Sequence, residues 1–127
     1  MRALHFPASL PGLEPLKDFQ LQEVEGSTGL YSLDSQELAE VRLFLLDPAI
    51  YLPDYSPRLA GQLGALGDPA LEEVRVLVIV NTSDGAAHVN LLAPVLIDIS
   101  SAQGAQVILE GQDLPVRAAL PVPAAAG

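Results

Sequence analysis

Val74-Arg75-Val76-Leu77-Val78-Ile79-Val80 decides the fold. Six of these seven side chains are apolar, and five are β-branched, the shape that suits a pleated strand. Apolar residues fall on both faces, which marks a central strand covered on two sides. Downstream, Asp84-Gly85 is a hairpin signal and residues 88–92 return from it. Pro94 interrupts, and residues 95–99 continue with Val95, Ile97 and Ile99 on one face. A proline between two strand halves predicts an edge or a corner where the chain changes direction. Gln103-Gly104 reads as the next turn, with residues 106–110 returning. Adjacent short strands joined by turns predict an antiparallel meander.

Upstream, residues 2–6, 19–24, 30–33 and 41–46 read as further strands, the second by strict alternation of Phe19 and Leu21 with Gln20 and Gln22. Asp34-Ser35-Gln36-Glu37 has capping-box spacing and predicts a helical turn. Residues 49–56 read as irregular chain, and 58–66 as a short helix weakened by Gly61 and Gly64. Eleven prolines and ten glycines leave little room for long helices. The expected fold is all-β: a small antiparallel barrel-like domain with one or two short helical turns. It spans residues 1–120 as a single domain, followed by a flexible Ala/Pro tail over 121–127. A barrel of this size fills its interior with side chains.

At 127 residues the chain is of one-domain size, and folding buries roughly two-thirds of the extended surface. Mean hydropathy is +0.34, yet no stretch approaches the ~18 apolar residues of a spanning helix. Six Lys and Arg face sixteen Asp and Glu, a net charge of −10. Nucleic-acid backbones and anionic membranes require the opposite sign. A basic protein partner is compatible and its association would be accelerated. There is no cysteine, which excludes disulfides and thiolate chemistry. The N-terminus carries no apolar signal region, so the reading is cytoplasmic.

Two histidines, His5 and His88, have no metal-ligand spacing, and neither a nucleophile elbow nor a phosphate-binding loop occurs. The chain reads as a non-enzyme with no cofactor and no metal. Asn90, within Val89-Asn90-Leu91-Leu92-Ala93-Pro94, is an amide in apolar company. It reads as a buttress for the corner at Pro94, with partner binding as the other reading. Gln106 admits the same pair. Asp54-Tyr55 follows Pro53 on irregular chain, where Tyr55 either packs or meets a partner.

Taken in order, several segments resemble the FliW family of bacterial flagellar assembly factors. Phe6-Pro7-Ala8-Ser9-Leu10-Pro11-Gly12-Leu13-Glu14 is similar to its opening stretch, and Tyr31-Ser32-Leu33-Asp34-Ser35 to its Leu-Gln-Ser segment with Asp34 in place of Gln. Leu43-Phe44-Leu45-Leu46-Asp47-Pro48, Pro53-Asp54-Tyr55, Val89-Asn90-Leu91-Leu92-Ala93-Pro94, Gly104-Ala105-Gln106-Val107-Ile108-Leu109 and Pro115-Val116-Arg117 follow in the family's order. The resemblance covers residues 6–120. It implies a regulator that binds the translational repressor CsrA, relieves its silencing of flagellin mRNA, and binds flagellin as the competing partner. The motif-matched residues taken as partner-binding are Asp34, Ser35, Asp54 and Tyr55, then Asn90, Pro94 and Gln106. The chain itself is read as a monomer with no direct nucleic-acid or membrane contact. The competing reading is a β-barrel adaptor with other partners.

Overall fold

The computed structural model describes residues 2–52, 55, 57, 59, 63–67, 69–83, 86–109, 111, 112, 114, 118 and 119. Nine strands run in chain order: β1 Arg2–His5, β2 Asp18–Glu23, β3 Leu30–Ser35, β4 Arg42–Leu46, β5 Val74–Ser83, β6 Ala86–Val89, β7 Val95–Asp98, β8 Gln103–Gln106 and β9 Ala118–Ala119. Seven of them close a ring in the order β4-β3-β2-β1-β8-β7-β5, because β5 also pairs with β4. Six of the seven junctions are antiparallel. The seventh, β1 to β8, is parallel and has a single register pair, His5 opposite Gln103. The expected barrel is therefore present, with one junction of the other sense.

Strand β5 organises it. Leu77 and Ile79 point inward to the main core with Leu4, Phe6, Phe19, Leu33, Leu45, Val95 and Ile97. On the outer face, Val74 and Val76 lie under a 3-10 turn at Leu63–Leu66, and Val78 and Val80 under Tyr51, Leu52 and Tyr55. That double cover is why the segment is apolar on both sides. The barrel interior is closed at one end by the loop carrying Leu10 and Leu16, both buried in the main core. Among the described residues, no helix is long and apolar enough to cross a membrane.

Strands β6 and β7 are not successive members of a meander. Both lie along β5, as two halves of one interrupted strand. Between the Leu77–Val95 and Val80–Val89 pairs, two residues of β5, Val78 and Ile79, face five of the partner, 90–94. The surplus is the bulge over residues 90–94, the corner that Pro94 announced. Asp84 and Gly85 lie outside the described residues, though Ser83 faces Ala86 across the ladder.

The turn expected at Gln103-Gly104 is instead strand β8, and the chain reverses over residues 99–102. No glycine makes that reversal. Asp98 does, accepting hydrogen bonds from the Ser100 backbone N–H and from the Ser100 and Ser101 hydroxyls at 2.8–3.0 Å, while Ala102 takes a left-handed φ of 59°. The Ser101 and then the Ser100 hydroxyl hold the Asp98 carboxyl below the usual carboxylate range. A pKa depressed by folding contributes stability that is present above the unfolded value of ~3.9 and lost as pH falls through the folded one. Asp98→Asn is therefore expected to melt below wild type at neutral pH, with the gap narrowing once the pH drops beneath the ordinary carboxylate range. Thermal melts by circular dichroism across that range check it, and a gap independent of pH would refute it.

Helical content differs in place from the reading. After Ser35 no helix forms, because Asp34 stays in the β3 ladder opposite Arg42. The Ser35 hydroxyl still accepts from the N–H groups of Glu37 and Leu38, a cap without its helix. The irregular stretch instead opens with α1, Pro48–Tyr51, capped by the Asp47 carboxylate on Ala49 N–H. Two 3-10 turns, Leu63–Leu66 and Leu71–Glu73, complete the helical content among the described residues. Near the end of the expected domain, Ala118–Ala119 adds strand β9 to β6, and the expected tail over 121–127 lies outside the described residues.

Candidate partner-binding surface

Four of the seven sequence-nominated residues converge on one element, the 90–94 corner. The Asn90 side-chain oxygen accepts from Leu92 and Ala93 N–H, each at 3.1 Å. Gln106 Nε2 donates to Ala93 O at 3.0 Å, and Val107 N–H to Pro94 O at 3.1 Å. The Tyr55 hydroxyl donates to Leu91 O at 2.6 Å, and burial pushes its pKa up to about 12. Pro94 itself is fully buried. The buttress reading of Asn90 and Gln106 describes what these side chains do here. Tyr55 packs against the Leu46, Val78 and Val89 cluster, so it too has a structural job. A cleft of about 290 Å³ opens beside the corner, lined in part by Asn90, Gln106, Asn81 and Leu13.

Asp34 and Ser35 stand apart from the corner, at the end of β3. Their side chains alternate across the strand. Asp34 is partly exposed, ion-paired to Arg42 and accepting from the Ser32 hydroxyl at 3.3 Å. Ser35 is buried and committed to the loop that follows. Asp54 lies outside the described residues.

Sequence reasoning passed over what surrounds Asp34. The loop after β3 brings Glu37 back to the start of β2, where its carboxylate accepts from Lys17 and Asp18 N–H at 2.7 and 3.0 Å. Those backbone donors, Asp18 foremost, hold the Glu37 carboxyl below its usual range. Asp18 faces His5 at 2.8 Å. Asp18, Asp34, Glu37 and Glu40 thus gather at the end of the barrel where β3 exits and β2 and β4 enter, against Lys17 and Arg42. Leu38, on the same loop, is 45% exposed. The legible signal was the acidic run of 34–40, which reads Asp-Ser-Gln-Glu-Leu-Ala-Glu. Among the described residues, no group of three or more His, Asp or Glu side chains is placed to hold a metal ion.

The family model described as FliW protein matches residues 1–120. The chain belongs to the FliW family. A flagellar assembly factor FliW of Moorella thermoacetica is 32% identical over 120 residues, covering 90% of this chain and 75% of that protein. The FliW of Symbiobacterium thermophilum is 35% identical over 108 residues, covering 82% and 78%. A crystal structure of the flagellar assembly factor FliW superposes with a TM-score of 0.84 at 26% identity, covering 96% of this chain and 87% of that one. Of the FliW motifs, Tyr55, residues 89–94 and Gln106 meet at the corner. Within the described residues, Tyr55, Asn90 and Gln106 hydrogen-bond the backbone of that corner.

Proposed function

We propose that this FliW-family protein is a cytoplasmic, non-enzymatic regulator that binds CsrA, relieves its repression of flagellin mRNA, and is displaced from it by flagellin. The observation that carries this is the family match over residues 1–120, joined to the superposition on a flagellar assembly factor. The acidic rim of Asp18, Asp34, Glu37 and Glu40 beside exposed Leu38 supports one face for the interaction. A protein that grips RNA is basic around its groove, and an acidic body docked next to that groove repels phosphate. Asp34 remains the nominated residue best placed to touch the partner. Ser35, Tyr55, Asn90, Pro94 and Gln106 act on binding through the shape of the loops they hold, and Asp54 belongs to the same proposal.

Isothermal titration against CsrA from the same organism, with flagellin as competitor, tests the reading. Saturable binding that flagellin displaces is expected, and the affinity should fall as salt rises, because surface charge pairs are screened within about 10 Å at 0.1 M salt. Glu40→Lys, on an exposed side chain, should weaken binding by about tenfold while the melting temperature holds, as expected for a charge reversed in an interface field. No binding to either protein would favour an adaptor that kept the scaffold and changed partners. Unchanged affinity across salt would remove the electrostatic part alone.

A further inference from the structure

Inward-facing side chains in the middle of the barrel are apolar, and polar ones appear at its open end, opposite the Leu10 plug. There the alternation that buries Leu4 places Arg2 on the same face of β1, and the alternation that buries Leu77 places Arg75 on the same face of β5. Glu23 on β2 and Tyr31 on β3 complete the outermost layer. These four polar residues rim a cavity of about 330 Å³ whose floor includes Leu77 and Ile97. That volume lies within the range of small-molecule sites, which pair an apolar lining with a few converging polar groups.

The two arginine charges in this rim have no ionic partner among the described residues: neither guanidinium has a carboxylate within 4.0 Å. Arg2 Nη1 donates only to a carbonyl, that of Ile99 at 3.1 Å, and the Arg75 guanidinium donates no hydrogen bond among the described residues. Glu23 already gives one oxygen to Gly29 N–H at 3.0 Å. Two arginines of a chain with only six cations thus border one cavity, and the Glu23 carboxylate on the same rim pairs with neither. With Glu23 counted, the rim carries one net positive charge. That matches a monoanion better than a phosphate dianion, and the apolar floor requires an apolar body. Guanidinium groups bind carboxylates through paired, charge-assisted hydrogen bonds.

We propose that the open end of the barrel binds a monocarboxylate with an apolar body, its carboxylate held by Arg75 with Arg2 beside it and its apolar part on Leu77 and Ile97. Such a group comes from a free short-chain acid or from the terminal carboxylate of a polypeptide ending in an apolar residue. The site lies away from the acidic rim, and the inference stands independently of the partner-switch reading.

The test is a titration of the whole protein, followed by amide NMR shifts, with hexanoate, 1-hexanol, and the tripeptide acetyl-Ala-Leu-Phe as free acid and as amide. Saturable shifts around the open end are expected for at least one acid and for neither neutral analogue. Hexanoate alone identifies a free acid as the ligand class, and the peptide acid alone identifies a chain terminus. Arg75→Gln should weaken binding by about tenfold or more, as loss of a charge-assisted hydrogen bond implies. Glu23→Gln, which keeps an acceptor for Gly29, should tighten it several-fold. Arg75 is exposed at its strand's start, so its variant is expected to melt with wild type. The absence of a saturable response to either acid, equal responses to acid and neutral analogue, or full binding by a folded Arg75→Gln would each overturn the proposal.

Discussion

Truncating Phe6 to alanine is expected to remove about 3–5 kcal/mol of stability, the range for deleting a buried aromatic ring, out of the ~5–15 kcal/mol a domain of this size holds. Phe6 is fully buried, packs edge-to-face on Phe19 with ring centroids 5.5 Å apart, and fills the barrel between the plug and β8. Its ring also dictates Gly104. A Cβ built on Gly104 would lie 2.5 Å from Cε2 of Phe6, too close for carbon atoms. A ring wedged among core residues cannot swing aside like the end of a lysine. Gly104→Ala is therefore expected to cost about 1–3 kcal/mol by overpacking. The two sites share one contact, so their effects should not add. In a Phe6→Leu background the same Gly104→Ala change should cost much less. Urea unfolding of the four proteins in the cycle measures this, and additive losses would show that Gly104 is required for another reason.

Asn90→Ala is the second large expected effect, about 1–3 kcal/mol, because it strips the acceptor from two backbone donors, one on buried Ala93. Asn90→Asp keeps acceptor oxygens at the same place and should lose distinctly less. The comparison separates support from contact. If Asn90 acts by holding the corner, CsrA affinity measured well below the melting temperature of the alanine variant should drop only as far as the corner loosens, and Asn90→Asp should restore it. An Asn90→Asp protein of normal stability that fails to bind would make Asn90 a contact residue instead.

The strands were legible because their cause is local. Alternation in β2, two apolar faces in β5 and the proline break between β6 and β7 are each written in a few consecutive residues. The errors have causes that are distant in sequence. Gly104 looks like a turn residue, and only Phe6, near the other end of the chain, explains a glycine inside a strand. The real reversal lacks glycine and rests on the three hydrogen bonds of Asp98. Asp34 has the spacing of a cap, but its ion pair with Arg42 and its place in the ladder win. Asp47-Pro48 carries a local helix-start signal, an N-cap followed by proline at the first position, in a stretch whose later prolines make irregular chain the expectation. The family motifs fixed attention on Tyr55, Asn90, Pro94 and Gln106, while nothing in one dimension shows that all four meet at one corner. Arg75 is legible as the one charged residue in an apolar run, on the inward parity of Leu77 and Ile79, but no local pattern marks it as part of a site.

The parallel junction between β1 and β8 follows from arithmetic. In a closed ring where every strand reverses its neighbour, directions alternate up and down around the circle. An even number satisfies that rule everywhere. Seven does not, so at least one neighbouring pair must agree in direction, as in an odd ring of spins that each prefer to oppose the next. No choice of side chains removes the conflict; sequence only selects where it falls. Here it falls on the N-terminal strand, at the single His5–Gln103 pair. The barrel is therefore a belt with its buckle at β1, and amide exchange at this junction should be the fastest in the ring.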